Sequence, residues 1–288
     1  MKKLIFGCGY VGRRVAAAWV DQGDDVFAVT RSLQNADSFR DFGVRPIVAD
    51  LCDSDSLHHL PEVDVILHSV GFDRNSGKTR EEVSLGGMAN VLAAIGRDCK
   101  RFIFVSSTSV YGQFDGEWVD EDSACNPLQP GGQVCVQSEA LVKNHFRDIP
   151  FASACVLRLA GIYGPGRLLS RIDDLRAGMP LAGNGDSWLN LIHVDDAVAA
   201  ILACEQSRVP EECFIAVDDR PIQRSEYFER LARLTQAPAP TFDASLPSAR
   251  GSGGLNKRCR NRKLREQLGW SPKYPSIETG LPAAIDAG

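Results

Sequence analysis

The sequence lacks the features that mark exported and membrane proteins. No uninterrupted apolar run reaches the ~18 residues that a membrane-spanning helix requires, and the apolar start at residues 4–6 is soon interrupted by glycines and arginines. The nine cysteines include no C-x-x-C pair, and no N-x-S/T acceptor occurs. We therefore expect a cytoplasmic protein without a membrane partner, a disulfide framework or a zinc site.

An excess of positive charge is also absent. The 288 residues carry 32 basic and 37 acidic side chains, a formal net charge of −5, so attraction to nucleic acid is not expected. His58 and His59 have no partners at metal-ligand spacing, so the sequence predicts no metal site. Hydrophobic residues make up 44% of the chain, which is typical of a soluble globule with a full core.

Short apolar runs alternate with amphipathic runs over the first 160 residues. The predicted strands are residues 4–6, 25–29, 44–48, 63–67 and 101–105, and the predicted helices are residues 11–20, 36–42, 54–60 and 80–95. The strands consist mainly of consecutive apolar residues and do not alternate with polar ones, as in a parallel sheet that is covered on both faces. This pattern predicts an α/β fold with a Rossmann-like doubly wound parallel sheet.

The pattern blurs after residue 160, where proline and glycine become frequent. A strand-to-helix unit returns at residues 189–203, a last strand is predicted at 214–217, and 237–254 is predicted to be a loop. We therefore expect a Rossmann domain of residues 1–165, with 189–217 returning to it, and a smaller C-terminal substrate lobe of residues 166–288.

A glycine-rich turn joins the first predicted strand to the first predicted helix. Gly7-Cys8-Gly9-Tyr10-Val11-Gly12 is a G-x-G-x-x-G sequence, in which the glycines permit a tight turn, approach of a pyrophosphate and close helix packing. The helix N-terminus would attract the anion. The same field would lower the pKa of the Cys8 thiol, and the alternative is that Cys8 is simply a small side chain that fits the turn. The motif predicts that Gly7, Gly9, Tyr10, Val11 and Gly12 bind a dinucleotide; a purely structural turn is the alternative.

The end of the second predicted strand indicates which dinucleotide is bound. Val29-Thr30-Arg31-Ser32 holds no carboxylate to accept from the ribose 2′-hydroxyl of NAD. Arg31 offers a guanidinium fork for a 2′-phosphate and Ser32 a further donor, so we expect NADP(H) in preference to NAD(H). The alternative is that Arg31 is a solvated surface arginine. Asp50 and Leu51 end the third strand, where the carboxylate would accept from the adenine amino group or cap a helix.

Three further motifs follow the glycine-rich turn. They are Ser106-Ser107-Thr108-Ser109-Val110-Tyr111-Gly112, Arg158-Leu159-Ala160-Gly161-Ile162-Tyr163-Gly164-Pro165-Gly166 and Ile192-His193-Val194-Asp195-Asp196-Ala197. In this order, and over nearly the whole chain, the motifs resemble the extended short-chain dehydrogenase/reductase superfamily, the NAD-dependent epimerase/dehydratase family. The resemblance implies a Rossmann domain, a small substrate lobe and substrates that are nucleotide sugars or small carbonyl compounds. By analogy with the superfamily, a homodimer is also expected.

The resemblance also implies roles for individual residues. Ser107 matches the catalytic Ser/Thr that hydrogen-bonds the reacting oxygen. The expected cofactor contacts outside the glycine-rich turn and the second and third strands are Ser69, Val70, Gly71, Ser106 and Leu159. Arg167 is a candidate for an anionic group of the substrate, although a surface salt bridge is the simpler interpretation. His193 is expected to be structural, and Asp195 and Asp196 to cap a helix.

The chain departs from the family at the catalytic helix. The family uses Tyr-x-x-x-Lys, in which the lysine lowers the pKa of the phenol, but no tyrosine here has a lysine four residues later. Cys135 and Glu139 occupy the tyrosine and lysine places, and a nearby carboxylate raises a thiol pKa instead of activating it. We expect an NAD(P)-dependent oxidoreductase or epimerase/dehydratase that uses another acid, with Ser107 as orienter and Glu139 or water in the proton path.

Two alternatives remain open at this stage. The protein could be an NADP(H)-binding sensor or regulatory protein with little or no turnover, or the alignment could be off by a few residues. A separate basic run, which spans residues 257–265, is either a solvated helix start or a contact for an anionic substrate group.

Overall fold

The computed structural model describes residues 1–95, 99–149, 152–167, 169–207, 212–246 and 255–286. The helices in these ranges are α1 (Gly12–Asp21), α2 (Leu33–Arg40), α3 (Gly87–Ala94), α4 (Pro130–Phe146), α5 (Leu169–Arg176), α6 (Val194–Gln206), α7 (Arg224–Thr235), α8 (Arg262–Leu268) and α9 (Ile277–Asp286). The strands up to residue 163 are β1 (Lys2–Phe6), β2 (Asp25–Thr30), β3 (Arg45–Val48), β4 (Val65–His68), β5 (Arg101–Ser107), β6 (Glu117–Val119), β7 (Ser153–Leu159) and β8 (Gly161–Tyr163). The later strands are β9 (Leu181–Ala182), β10 (Trp188–Leu189), β11 (Leu191–His193), β12 (Glu212–Ala216), β13 (Ile222–Gln223), β14 (Phe242–Asp243) and β15 (Lys257–Cys259).

A seven-stranded sheet forms the centre of the Rossmann part. Its order is β12-β7-β5-β4-β1-β2-β3, and strands β1 to β5 pair in parallel. The strand order reverses between β1 and β4, which is where a doubly wound sheet opens a crevice at the carboxyl ends of its strands. The predicted α/β Rossmann-like fold is confirmed.

The chain divides into two compact units. The first comprises Met1–Val110, Pro130–Arg158 and Val198–Phe214, and the second comprises Tyr111–Gln129, Leu159–Ala197 and Ile215–Gly288. The core of the first unit includes the buried side chains of Phe6, Ile66, Phe102, Val142 and Phe146. Its strands are apolar because helices cover both faces of the sheet. The chain passes between the two units more often than we predicted. The predicted division, a Rossmann domain of residues 1–165 with 189–217 and a substrate lobe of residues 166–288, remains a proposal.

Two predicted helices are shorter than expected. The region predicted as a helix at residues 54–60 is a single 3₁₀ turn, Ser54–Leu57, which the Asp53 side chain caps by accepting from the Asp55 N–H at 3.1 Å. The predicted helix at 80–95 contains a π turn, Glu82–Gly86, before α3 begins. Adjacent glycines weaken a regular helix there, and the Ser138 hydroxyl donates to the Ser84 carbonyl at 3.3 Å.

The second unit has its own buried core and a polar cluster within it. The Tyr163 ring is 2% exposed, and a Cβ added to Gly280 in α9 would lie 1.8 Å from the Tyr163 hydroxyl oxygen. His193 is buried at the end of β11 and its ring lies 4.1 Å from that of Tyr274, so the predicted structural histidine is confirmed. Burial raises the pKa of Asp218 to about 8.

Asp196 does not have the predicted capping role for its own helix. Its carboxylate accepts the backbone N–H groups of Lys273 at 2.6 Å and Tyr274 at 3.0 Å, and it is 1% exposed. The side chain therefore fixes the segment that leads into α9. Position in the first turn of a helix suggested a cap, but the partner lies 77 residues away along the chain.

The first half of the basic run at residues 257–265 is not a solvated helix start, because residues 257–259 form strand β15. Lys257 is buried in β15 and donates to the Tyr111 carbonyl at 3.0 Å, and burial lowers its pKa. Arg258 donates to the Gly116 carbonyl at 2.8 Å and lies 4.9 Å from the centre of the Trp118 ring. The sequence does not distinguish this short strand from a helix start, because its register against β6 is set by a segment about 140 residues earlier in the chain.

Candidate active site

The glycine-rich turn follows β1 and opens α1, as its spacing predicts. Gly7 has a φ of +90°, and a Cβ there would lie 2.5 Å from the Ser69 carbonyl oxygen. A Cβ on Gly12 would lie 2.4 Å from the Gly7 carbonyl oxygen. A Cβ on Gly9 would meet no atom within 4 Å. Gly7 and Gly12 are thus required by the protein's own backbone, whereas Gly9 faces open space at the N-terminal end of α1.

The segment after β4 lies directly against this turn. The Ser69 hydroxyl donates to the Gly7 carbonyl at 2.9 Å, and the Ser69 N–H donates to the Phe6 carbonyl at 2.8 Å. Val70 and Gly71 follow, and Gly71 is exposed. The structure therefore brings together the ends of β1 and β4, whose residues we predicted to lie in one site. Tyr10 and Val11 complete the turn, and the Arg14 guanidinium packs 4.3 Å from the centre of the Tyr10 ring.

Cys8 differs from its expected reactivity. The side chain is buried, and burial raises the pKa of its thiol to about 12, against a smaller lowering effect of Arg13. The prediction that the helix N-terminus lowers this pKa is therefore wrong. Desolvation of a thiolate outweighs the helix field when the sulfur points into the core.

Arg31 and Ser32 lie at the end of β2. The Arg31 side chain is 48% exposed, and the Asp73 carboxylate lies 3.8 Å away and is itself 53% exposed. The attraction between two such exposed side chains is weak. The Ser32 hydroxyl accepts from the Asn35 N–H at 3.3 Å and so caps α2. Arg31 thus keeps an accessible guanidinium, whereas the oxygen of Ser32 is engaged in the cap.

Asp50 and Leu51 follow β3. One Asp50 oxygen accepts from the Cys52 N–H at 2.9 Å, and the other lies 3.6 Å from the Lys78 ammonium. The Leu51 carbonyl accepts from the Asn90 amide at 2.8 Å. Asp50 stabilises its own turn and is not the cap of the following 3₁₀ turn, which is Asp53.

The end of β5 carries the predicted catalytic serine and its neighbour. The Ser106 hydroxyl donates to a Glu139 carboxylate oxygen at 2.6 Å. Arg158 holds the same carboxylate with two hydrogen bonds, at 3.0 Å and 2.7 Å. Ser107 is half-buried, and its oxygen accepts from the Ser109 N–H at 3.1 Å. In this hydrogen bond the Ser107 oxygen is the acceptor, so the hydroxyl hydrogen of Ser107 can be donated to another group.

The Glu139–Arg158 pair was not predicted. Both side chains are nearly buried, with relative exposures of 12% and 9%, and two parallel hydrogen bonds give the geometry of a bidentate pair. The sequence places Glu139 and Arg158 in separate motifs, and nothing in those motifs indicates that the two side chains pair. An arginine on a buried strand was the available signal, since such a charge needs a partner.

Cys135 lies one helical turn before Glu139 on α4. Burial raises the pKa of its thiol, and the negative charge of Glu139 raises it further. The hydroxyls of Ser109 and Ser106 lie in hydrogen-bonding reach and lower the pKa by a smaller amount. The thiol is therefore neutral at physiological pH. This agrees with the expectation that Cys135 and Glu139 do not reproduce a Tyr-x-x-x-Lys pair.

The two remaining predicted residues belong to the second unit. Leu159 is 3% exposed at the end of β7. Arg167 is exposed in the turn after β8, where its N–H donates to the Gly164 carbonyl at 3.1 Å. Within the described ranges, no helix is long and apolar enough to cross a membrane, and no cluster of three or more candidate metal-ligating side chains occurs.

Known proteins are similar to this chain in sequence over nearly its whole length. Protein YeeZ of Escherichia coli K12 is 29% identical over 281 residues, which cover 96% of this chain and 97% of that protein. The 3-diazoavenalumate denitrifying reductase of a Streptomyces species is 26% identical, with coverage of 98% and 99%.

Solved structures show the same architecture. A conserved protein from Silicibacter pomeroyi superposes with a TM-score of 0.81 at 28% identity, covering 99% of this chain and 98% of that one. The UDP-glucose 4-epimerase of Thermotoga maritima, solved with UDP-glucose, gives 0.82 at 21% identity, covering 100% and 98%, and supports the fold alone. Residues 4–215 match the family described as NAD dependent epimerase/dehydratase, and the chain therefore belongs to that family.

Proposed function

We propose that the protein is an NADP(H)-dependent oxidoreductase or epimerase/dehydratase that acts on a small or nucleotide-linked carbonyl or alcohol. The observation that carries the proposal is the glycine-rich turn. Its first and third glycines are fixed by backbone contacts, and Gly9 alone faces open space. A diphosphate fits there because a Cβ-free backbone at a helix N-terminus lets an anion approach the N–H groups.

The residues that would hold the cofactor lie along the carboxyl ends of four strands. They are Gly7, Gly9, Tyr10, Val11 and Gly12 after β1, Arg31 and Ser32 after β2, Asp50 and Leu51 after β3, and Ser69, Val70 and Gly71 after β4. Ser106 supports the site from β5 by fixing Glu139, and Leu159 remains a predicted contact. The nicotinamide, when bound, supplies or accepts a hydride.

Ser107 is the proposed catalytic residue of this chain. Its oxygen accepts the Ser109 N–H, so the hydroxyl hydrogen can be donated to the substrate oxygen that gains or loses negative charge. Glu139 stays a proposal for the proton path, acting from its fixed position on Arg158. Water completes the proton transfer, since neither Cys135 nor Glu139 supplies the acid of a Tyr-x-x-x-Lys pair.

A reductase assay tests this function. Oxidation of NADPH is followed with a panel of aldehydes and ketones, for the wild type and for Ser107→Ala. We expect turnover that falls about 100-fold in the variant, the loss typical of one donor to a developing oxyanion. Ser109→Ala serves as the matched control, because the hydrogen bond from Ser109 to Ser107 comes from the backbone N–H, which the substitution keeps. Equal rates for Ser107→Ala and the wild type would contradict the assigned role.

A second candidate function is favoured by one observation. The Glu139 carboxylate, which lies in the middle of α4 and accepts from Ser106, is already engaged by Arg158, and the nearby thiol is neutral. A dinucleotide-binding sensor with little or no turnover would have this arrangement. Tight NADPH binding without oxidation of NADPH by any carbonyl in the panel would support it.

The cofactor preference has its own prediction. Arg31→Asp removes the guanidinium fork and places a carboxylate where the 2′-phosphate would bind. A charged hydrogen bond is worth about 1.5–3 kcal/mol, so we expect the Kd for NADPH to rise at least about tenfold. The Kd for NADH should change little. Calorimetry with both nucleotides measures the two constants.

Asp73→Asn is the control for that experiment. Its carboxylate is the neighbour of Arg31 at 3.8 Å, so removing its charge should leave NADPH binding unchanged or slightly tighter. Equal losses of NADPH and NADH affinity in Arg31→Asp would remove the basis for NADP(H) preference, while leaving the glycine-rich turn as the dinucleotide site.

A further inference from the structure

Arg80 is a half-buried cation at the beginning of the helical segment that leads into α3. Its guanidinium carbon lies 4.5 Å from the centre of the Phe72 ring. Among the residues that the structure describes, Arg80 has no hydrogen bond and no carboxylate within ion-pair distance. The guanidinium thus has an aromatic support on one side and no anionic partner.

The acidic side chains nearest in sequence are engaged or turned to solvent. The Glu82 carboxylate accepts from the Thr79 N–H at 2.6 Å, and this bond lowers its pKa. Glu81 is exposed. Across the site, the Glu139 carboxylate is held by Arg158 and Ser106. A partly desolvated guanidinium without a counter-charge is costly, so the position favours a ligand that brings one.

Arg80 faces the start of the catalytic helix. A Cβ added to Gly131 in α4 would lie 3.8 Å from the Arg80 guanidinium carbon, an ordinary contact distance, so the guanidinium packs beside the first turn of α4. One turn further along α4, the Cys135 thiol feels the positive charge of Arg80 and has the Ser109 and Ser106 hydroxyls in hydrogen-bonding reach. The guanidinium therefore lies beside the first turns of α4, close enough to act on the Cys135 thiol, which the Ser106 and Ser109 hydroxyls also reach.

We propose that Arg80 binds a carboxylate of the substrate, and that the substrate is a carbonyl compound or alcohol that also carries a carboxylate. This inference rests on the proposed function and adds the chemical class of the substrate. The planar fork of an arginine matches a carboxylate with two parallel hydrogen bonds, which neither a neutral sugar hydroxyl nor an ester reproduces. Support from Phe72 keeps the fork in place before the ligand arrives.

The test compares two aldehydes that differ only in charge. NADPH oxidation is measured with 4-carboxybenzaldehyde and with its neutral methyl ester, methyl 4-formylbenzoate. The wild type should have a kcat/KM at least about tenfold higher for the carboxylate, and Arg80→Gln should lose this preference. Calorimetry with benzoate and benzamide, in the presence of NADPH, gives a readout that does not need turnover. The wild type should bind benzoate and not benzamide, and Arg80→Gln should bind neither.

Gly131 offers a matched pair of variants that leave Arg80 in the chain. Gly131→Ala adds a methyl group at ordinary contact distance and should keep the benzoate affinity. Gly131→Leu fills the space under the guanidinium and should weaken benzoate binding at least about tenfold. Arg80→Lys keeps the charge without the fork and should bind benzoate with intermediate affinity.

The outcomes separate this inference from the proposed function. Normal NADPH binding with no benzoate binding by the wild type would overturn the carboxylate site and leave the dinucleotide proposal standing. Loss of NADPH affinity in Arg80→Gln would assign Arg80 to the cofactor instead and would also overturn it. Failure of the wild type to bind NADPH at all would instead count against the proposed function.

Discussion

Replacing Glu139 by alanine should destabilise the protein by about 3–5 kcal/mol, because it leaves Arg158 as a buried charge without its partner. Arg158 is 8% exposed, and two of its donors point at the carboxylate that the substitution removes. The Ser106 hydroxyl loses its acceptor as well. Urea unfolding monitored by circular dichroism measures the loss. Lys143→Ala, an exposed site one turn further along α4, should change stability by less than about 0.5 kcal/mol.

The same pair of residues separates a structural role from a catalytic one. Glu139→Leu combined with Arg158→Met removes both charges and should recover most of the stability that Glu139→Ala loses, since apolar replacements of a buried pair are often neutral. If the folded double variant still oxidises NADPH with a carbonyl substrate at a rate near that of the wild type, Glu139 is only structural. If it is folded and inactive, Glu139 belongs to the proton path. A Glu139→Ala variant as stable as the wild type would contradict the ion-pair account.

The sheet was predictable because its strands have a local signature. Residues 4–6 and 102–105 are apolar without alternation, which is typical of strands covered on both faces. The glycine-rich turn was equally visible, since each glycine has a separate physical requirement. The π turn at Glu82–Gly86 was not, because its pattern of apolar positions is that of a regular helix. What distinguishes it is a tertiary contact, the Ser138 hydroxyl on the Ser84 carbonyl.

The candidate site was predictable as a set of strand ends but not as a set of contacts. Arg31 and Ser69 each follow a strand, and parallel strands bring their carboxyl ends to one edge of the sheet. The pairing of Glu139 with Arg158 and the unpaired state of Arg80 depend on distances between segments that are far apart in sequence. Burial was also invisible, and it reversed the expected pKa change of Cys8.

Substituting Gly9 by alanine should leave the fold intact and weaken NADPH and NADH binding alike, at least about 100-fold. A Cβ at this position meets no protein atom within 4 Å, and Gly9 does not have a positive φ, so the folded protein accommodates it. The methyl group would instead occupy the space through which a diphosphate approaches the backbone N–H groups. Calorimetry gives the two affinities, and thermal unfolding should show a Tm within a few degrees of the wild type.

Gly7→Ala is the matched control, since it adds the same methyl group two residues earlier. Gly7 has a φ of +90°, and its Cβ would lie 2.5 Å from both the Ser69 carbonyl carbon and oxygen, so β1 and β4 cannot keep their spacing. This variant should lose stability before it loses affinity, and we expect little soluble protein. If Gly9→Ala binds both nucleotides as the wild type does, the turn is structural and the dinucleotide site lies elsewhere. If Gly9→Ala instead unfolds like Gly7→Ala, the open space assigned to Gly9 is wrong.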